Sequence, residues 1–287
     1  MSFLRVVRWE MFKLVKRRAS YIGFVLCVIF CFAVLIGFYF SEFKGLRRYS
    51  GFIDPARFIN GWLFAYFATS ISFFTLLPLL AAVVPGSQLA GEAKEGTLRA
   101  LLVRPPSRPS VFAAKALVSF VWLLLLVYVL IFTSLLLGHL LLGGGPFLVF
   151  EWEFRTTSFV ADSGDRLLIF LVSGVGVALS LYMVAAFALM LSSMTDNPVI
   201  ANVGTLGAFF TSSIIHQLPD ELMSTQVKDL MPTMHMRFWR ELPRLFHPDP
   251  EIFDAGRVWS DLAWVGGYIG LFLVIGLIVF CRRDITS

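Results

Sequence analysis

The run YIGFVLCVIFCFAVLIGFYF, residues 21–40, decides the fold class of this chain. It contains no charged side chain. A helix rises about 1.5 Å per residue, so a helix of this length crosses the roughly 30 Å of hydrocarbon in a bilayer. We therefore expect a transmembrane helix here. The run is also longer than the apolar part of a cleaved signal peptide, so we expect it to be retained.

The composition of the whole chain agrees with a membrane protein. Of its 287 residues, 57% are hydrophobic and 15% are charged, whereas a soluble domain carries about 25% charged residues. One soluble core would not hide this apolar excess. The net charge of +5 comes from basic residues beside apolar runs. Such residues meet membrane lipid and do not indicate nucleic acid.

Six apolar runs predict an all-α integral membrane protein that forms a single domain over residues 1–287. The runs cover residues 21–40, 58–85, 110–142, 166–191, 199–217 and 261–281. The fifth run is the weakest, because it contains polar residues that would be costly against lipid. Among them are Asn202, Thr205, Thr211 and Ser212. We expect these four residues to line a subunit interface or a pathway, and the run either crosses fully or is re-entrant.

Residues 1–18 are expected to form an amphipathic helix in the membrane interface. One helical face carries Phe3, Leu4, Val7, Met11, Leu14 and Val15, and the other carries Arg5, Lys13 and Lys16. A helix with this division lies in the plane of the lipid headgroups. The alternative is that the first transmembrane helix simply begins early.

Basic residues near the first run predict the orientation of the chain. Charge at this position usually dominates, so both termini are expected to be cytoplasmic in a plasma membrane. Segments 143–165 and 219–260 then lie outside, and short helices are expected in the second of them, for example around 221–230 and 236–245. Lys115 and Arg166 lie near the ends of their runs, where we expect them to snorkel towards water.

The most informative polar stretch is GEAKEGTLRALLVRPPSR, residues 91–108, between the second and third runs. Its pattern predicts a short amphipathic helix, with leucines on one face and Glu95 placed to pair with Arg99. The pair Pro105-Pro106 would end that helix. A short helix that projects from a membrane domain can dock into a groove of another protein.

This stretch resembles the first cytoplasmic loop of the ATP-binding-cassette type-2 permeases, the membrane subunits of bacterial exporters. The residues that match are Glu92, Gly96-Thr97-Leu98, Leu101-Leu102, Pro105 and Ser107-Arg108. The stretch LSSMTDNP, residues 191–198, is similar to the tight turn before the fifth span of that family. The order of the interfacial helix, six runs and a large last outer loop also follows the family plan.

The resemblance implies the permease subunit of an ATP-driven exporter in the bacterial inner membrane. The permease would pair with a second copy or a paralogue, and a separate cytoplasmic ATPase would dock on residues 91–108. The residues implied in that docking are Glu92, Glu95, Gly96, Thr97, Leu98, Leu101, Pro105, Ser107 and Arg108.

The chain contains no glycine-rich phosphate-binding loop of the kind that ATPases use. ATP and Mg²⁺ would therefore be bound by the partner, and we expect no catalytic residue, cofactor or metal in this chain. Acidic residues are missing from the middle of the runs, which disfavours an ion-coupled secondary transporter. The alternatives are such a transporter or a channel, a membrane enzyme, and a membrane assembly factor that uses an ATPase.

Overall fold

The computed structural model describes residues 2–40, 59–96, 107–149, 159–219, 221–249 and 252–283. Within these residues the helices are α1 Phe3–Lys16, α2 Arg18–Phe40, α3 Gly61–Phe74, α4 Leu76–Lys94, α5 Arg108–Leu142, α6 Arg166–Met194, α7 Pro198–Gln217, α8 Thr225–Asp229, α9 Pro232–His235 and α10 Ala255–Arg282. Two 3₁₀ helices, Met236–Arg240 and Leu242–Phe246, follow α9. Six helices of the described residues are long and apolar enough to cross a membrane: α2, α4, α5, α6, α7 and α10. The predicted all-α membrane fold is confirmed.

The second apolar run is interrupted and ends later than its hydropathy predicts. α3 ends at Phe74 and α4 begins at Leu76. Pro78 explains the break, because it has no N–H for the Phe74 carbonyl and its ring crowds that carbonyl. α4 then continues to Lys94, nine residues beyond the expected end at residue 85. Its last turns are polar yet buried, as in the hydrogen bond from Ser119 Oγ to Gln88 Oε1 at 3.2 Å.

Together α3 and α4 run antiparallel to α5 along most of its length. At one end, a Cβ on Gly61 would lie 2.7 Å from the backbone of Gly138, so the two helices touch there. At the other end, the side chain of Glu92 reaches Lys115. The two helices therefore lie one after the other along α5.

α1 is a helix of its own and not an early start of α2. The two helices are separated at Arg17, which has extended backbone angles of φ −80° and ψ 115°. Val6 packs with Val111 and Ala114 of α5, while Leu4 and other apolar side chains of α1 stay exposed. The alternative of a first span that begins early is therefore wrong.

α7 is one unbroken helix of 20 residues. A helix of that length extends about 30 Å, enough for a full crossing. An unbroken helix does not turn back on itself, which favours a crossing over a re-entrant path. Asn197 caps the start of α7, since its Oδ1 accepts from the Val199 N–H at 3.0 Å.

In the segment between α7 and α10, the described residues 218–219, 221–249 and 252–254 pack into the bundle. It contains the short helices expected in the last long loop. Trp239 is fully buried, with its ring 5.4 Å from that of Phe73 and 6.2 Å from that of Tyr66. We call this side of the molecule the Trp239 end and residues 218–254 the connecting segment.

The other long segment is described at residues 143–149 and 159–165. It contains an antiparallel strand pair, β1 Phe147–Val149 and β2 Phe159–Ala161. Arg166 ties this pair to the start of α6 by donating to the carbonyls of Gly145 at 2.9 Å and Ala161 at 3.3 Å. The side chain of Arg166 is thus occupied within the protein.

Candidate functional site

Four charged side chains from three helices meet at the end of the bundle opposite Trp239, which we call the Lys115 end. Lys115 Nζ on α5 donates to Glu10 Oε2 of α1 and to Glu92 Oε1 of α4, each at 2.8 Å. Lys13 Nζ of α1 donates to the same two carboxylates, at 2.8 Å and 2.9 Å. We call these four residues the charge cluster.

The charge cluster is largely removed from water. The side chain of Lys115 is 1% exposed, that of Glu10 6% and that of Glu92 15%. Burying a single charge costs several kcal/mol. Here two carboxylates balance two ammonium groups, and the hydrogen bonds between them offset much of that cost. The expectation that Lys115 snorkels is wrong, because its ammonium group finds two carboxylates inside the protein.

Lys13 is held in its charged form. Burial alone would lower the pKa of its ammonium group, but the charge of Glu92 and the hydrogen bond to Glu10 outweigh burial and raise the pKa above its ordinary value. At neutral pH, Lys13 therefore remains a cation that joins α1 to the end of α4.

Arg108 binds the far end of the loop to a different helix. Its Nη1 donates to the carbonyls of Cys281 at 3.0 Å and Arg283 at 2.8 Å, with that of Phe280 at 3.5 Å. These carbonyls lie at the C-terminal end of α10, where they lack partners within the helix. A cation also complements the negative end of the helix dipole. Arg108 thus fastens the start of α5 to the end of α10.

The residues that the resemblance implies for docking divide into two groups. Glu92 and Arg108 turn inward and bind other helices. Glu95 and Ser107 are exposed, and Gly96 is exposed in the left-handed backbone region at φ 69°, where α4 ends. Thr97, Leu98, Leu101 and Pro105 lie outside the described residues. Docking of an ATPase on this stretch stays a prediction.

The four polar residues of α7 have different surroundings. Thr205 and Ser212 are buried, and the Ser212 hydroxyl lies 2.8 Å from a hydroxyl of the connecting segment. Asn202 packs on α4, where a Cβ added to Gly86 would lie 2.0 Å from its Oδ1. Thr211 is exposed on the outward face of α7. Their part in a pathway or a subunit interface stays a prediction.

Sequence reasoning missed three members of the charge cluster: Glu10, Lys13 and Lys115. Two signals could have found them. Glu10 is the only acidic residue before Glu42, and Lys115 is a lone cation in the third apolar run. Charges in such places need partners. The pairing of α1 with α4 and α5 is a tertiary contact that the spacing of residues does not encode.

A known protein family matches most of this chain. The family model described as ABC-2 family transporter protein matches residues 6–212. The chain belongs to the ABC-2 family. It is thus a multi-pass membrane protein and a permease subunit of an ABC transporter, a kind of subunit that generally works with an ATP-binding partner. The match includes the whole charge cluster and the 91–108 loop of this ABC-2 protein. No curated protein matches the chain.

Proposed function

We propose that this permease is the membrane half of an ATP-driven exporter and that a separate ATPase docks on the 91–108 loop. Both termini are cytoplasmic in a bacterial inner membrane, and ATP and Mg²⁺ are bound by the partner. The observation that carries the proposal is the double attachment of the loop. Glu92 at its start binds α1 and α5, and Arg108 at its end binds α10.

The double attachment suggests how motion passes from the ATPase to the membrane helices. A ligand shifts a conformational equilibrium only through its different affinity for the two states. Here ATP would draw two ATPase subunits together and move the loop that they hold. Through Glu92 that motion reaches the interfacial helix α1, and through Arg108 it reaches α10, so both helices tilt with the loop.

Two permease chains, either identical or paralogous, enclose the pathway in this proposal. α7 is the element that we assign to the pathway or the subunit interface, because its outward face is largely exposed and includes Thr211 and Gly207. Asn202, Thr205 and Ser212 then hold the opposite face of α7 against the rest of its own chain.

The test is co-purification of the ATPase with the tagged permease in mild detergent. The double variant Glu95→Arg, Leu98→Asp changes two of the residues implied in docking and leaves the charge cluster intact. If each residue contributes about 2 kcal/mol at the centre of the interface, association weakens about 700-fold, and the ATPase should be lost.

The matched control is Glu221→Arg, Leu222→Asp, which makes the same chemical change at exposed residues of the Trp239 end. This control should retain the ATPase. A wild-type chain that never retains an ATPase with a phosphate-binding loop would contradict the exporter proposal. Full retention by the Glu95→Arg, Leu98→Asp variant would exclude the loop as the docking site.

A further inference from the structure

Arg283 joins two parts of the Lys115 end that are far apart in sequence, the start of α5 and the turn between α6 and α7. Its carbonyl accepts from Arg108 at 2.8 Å. Its own Nη1 donates to the carbonyls of Ser193 at 3.0 Å and Thr195 at 3.3 Å, and its Nη2 lies 2.5 Å from Asp196 Oδ1. Ser193 lies in the last turn of α6, and Thr195 and Asp196 lie in the turn that leads into α7.

The end of α10 packs on α5 and α6 through Phe280 and Gly276. The rings of Phe112 and Phe280 lie 6.1 Å apart. A Cβ on Gly276 would lie 2.9 Å from Phe112 and 3.1 Å from the backbone of Met190. Close-packed interiors transmit displacements because they have little free volume. A shift of Arg108 therefore displaces the last turns of α10 together with residue 283.

α7 is placed to respond to such a displacement. Between α6 and α7 only residues 195–197 intervene, and Asn197 is fixed to α7 as its cap. Most of the α7 surface is not covered by the rest of the chain. A force on the turn at Asp196 thus acts on a helix whose contacts within the chain lie on one face, against α4, α6 and α9.

We infer that Arg283 is a positioning residue that passes the motion of the 91–108 loop to the α6–α7 turn and so to α7. The route runs from Arg108 to the backbone of residue 283, and from the Arg283 guanidinium to the turn. This inference rests on the proposed function, because the ATPase supplies the motion. In this inference, the motion of the 91–108 loop reaches α7 at the N-terminal end of that helix.

The experiment follows α7 at its far end, in the purified complex of permease and ATPase. Gln217 is exposed and is the last residue of α7, so a Gln217→Cys variant reports there through its rate of maleimide labelling. Cys281 is partly exposed and is first replaced by serine; Cys27 and Cys31 are buried. Labelling is measured with and without MgATP, and the amount of bound ATPase is measured in the same samples.

Arg283→Gln removes the charge and the forked donor. We expect it to retain the ATPase while the effect of MgATP on the Gln217→Cys labelling rate falls at least about fivefold, the lower end of typical coupling between sites. Arg283→Lys keeps the charge and should recover part of the effect. Arg282→Gln removes the same charge from the exposed neighbouring residue and should behave like the wild type.

A full MgATP effect in Arg283→Gln overturns the inference. So does a wild-type complex in which ATPase is bound but MgATP leaves the labelling of α7 unchanged. Loss of ATPase from the wild type is a different result, because it removes the proposed function itself. If Arg283→Gln does not insert, Arg283→Lys decides by the same comparison, and an undiminished effect in it counts against the inference.

Discussion

Lys115 places its ammonium group between two carboxylates where water does not reach it, since only 1% of its side chain is exposed. Replacing it by methionine leaves two buried carboxylates with one ammonium between them. Breaking a buried pair in this way costs about 3–5 kcal/mol. We expect Lys115→Met to lower the thermal stability of the detergent-purified protein strongly.

The control is Lys94→Met, the same change at an exposed residue, which should alter stability by no more than about 0.5 kcal/mol. Adding Glu92→Gln to Lys115→Met should restore part of the stability, because it removes one of the unbalanced charges. Equal stability of Lys115→Met and Lys94→Met would show that the charge cluster does not form.

Gly86 marks a close contact between α4 and α7. A methyl group there would lie 2.0 Å from Asn202 Oδ1, so Gly86→Ala should destabilise the protein by about 1–3 kcal/mol through overpacking. The second change Asn202→Ala should relieve the clash. Gly207→Ala, at a position of α7 with open space around it, is the control in the same unfolding assay. If Gly86→Ala is as stable as Gly207→Ala, α7 does not pack on α4 in this way.

At the scale of elements, the connecting segment is fastened to α10 by His235. Its Nδ1 lies 2.7 Å from Asp261 Oδ1 and its Nε2 lies 2.8 Å from the Asp229 carbonyl. Its ring also stacks on that of Trp264. Two acceptors at the two ring nitrogens favour the doubly protonated imidazolium. Burial alone would lower the pKa of His235, but these hydrogen bonds raise it above its ordinary value of 6.5.

The sign of the pH effect follows from the raised pKa. The stabilisation is fully present below pH 6.5, the ordinary value, and it is lost as the pH rises through the higher pKa of the folded protein. Hydrogen exchange of the connecting segment, corrected for the intrinsic pH dependence, should therefore increase as the pH rises. The charged groups that act on His235 are Asp261 of α10 and Asp229 of α8.

His235→Gln should abolish this pH dependence, whereas His247→Gln should keep it. The Nδ1 of His247 accepts from the Asp249 N–H at 2.9 Å and lies 3.1 Å from the Asp249 carbonyl. If hydrogen-exchange protection of the connecting segment is the same at low and high pH in the wild type, protonated His235 does not stabilise the contact of this segment with α10.

The sequence predicts the ends of a helix well where apolar residues stop, and poorly where contacts with other helices set the end. The runs that became α2, α5, α6 and α7 were located well, because their ends coincide with a loss of apolar residues. α4 extends past its apolar run because Gln88 and Glu92 bond to side chains of other helices. Hydropathy along the sequence does not predict such contacts between helices. Glu92 and Arg108 were found through the family pattern, but their partners lie on α1, α5 and α10.

At the scale of the whole molecule, the proposed orientation places the Lys115 end in the cytoplasm and the Trp239 end outside. Leu222 is exposed at the Trp239 end and Lys94 at the Lys115 end. Each is replaced by cysteine in a separate variant. In intact cells, a membrane-impermeant thiol reagent should label Leu222→Cys alone, and permeabilised cells should label both. The reverse pattern in intact cells would mean that the chain is inserted the other way round.

The central claim is that the 91–108 loop passes work from an ATPase into the membrane helices through Glu92. The most direct measurement is permease-stimulated ATP hydrolysis by the purified complex carrying Glu92→Gln, beside the control Asp162→Asn at the Trp239 end. The account predicts that both variants retain the ATPase. Stimulation should fall about tenfold in Glu92→Gln, which corresponds to about 1.4 kcal/mol of coupling, and remain unchanged in the control. Full stimulation in Glu92→Gln, with the ATPase still bound, would contradict the account.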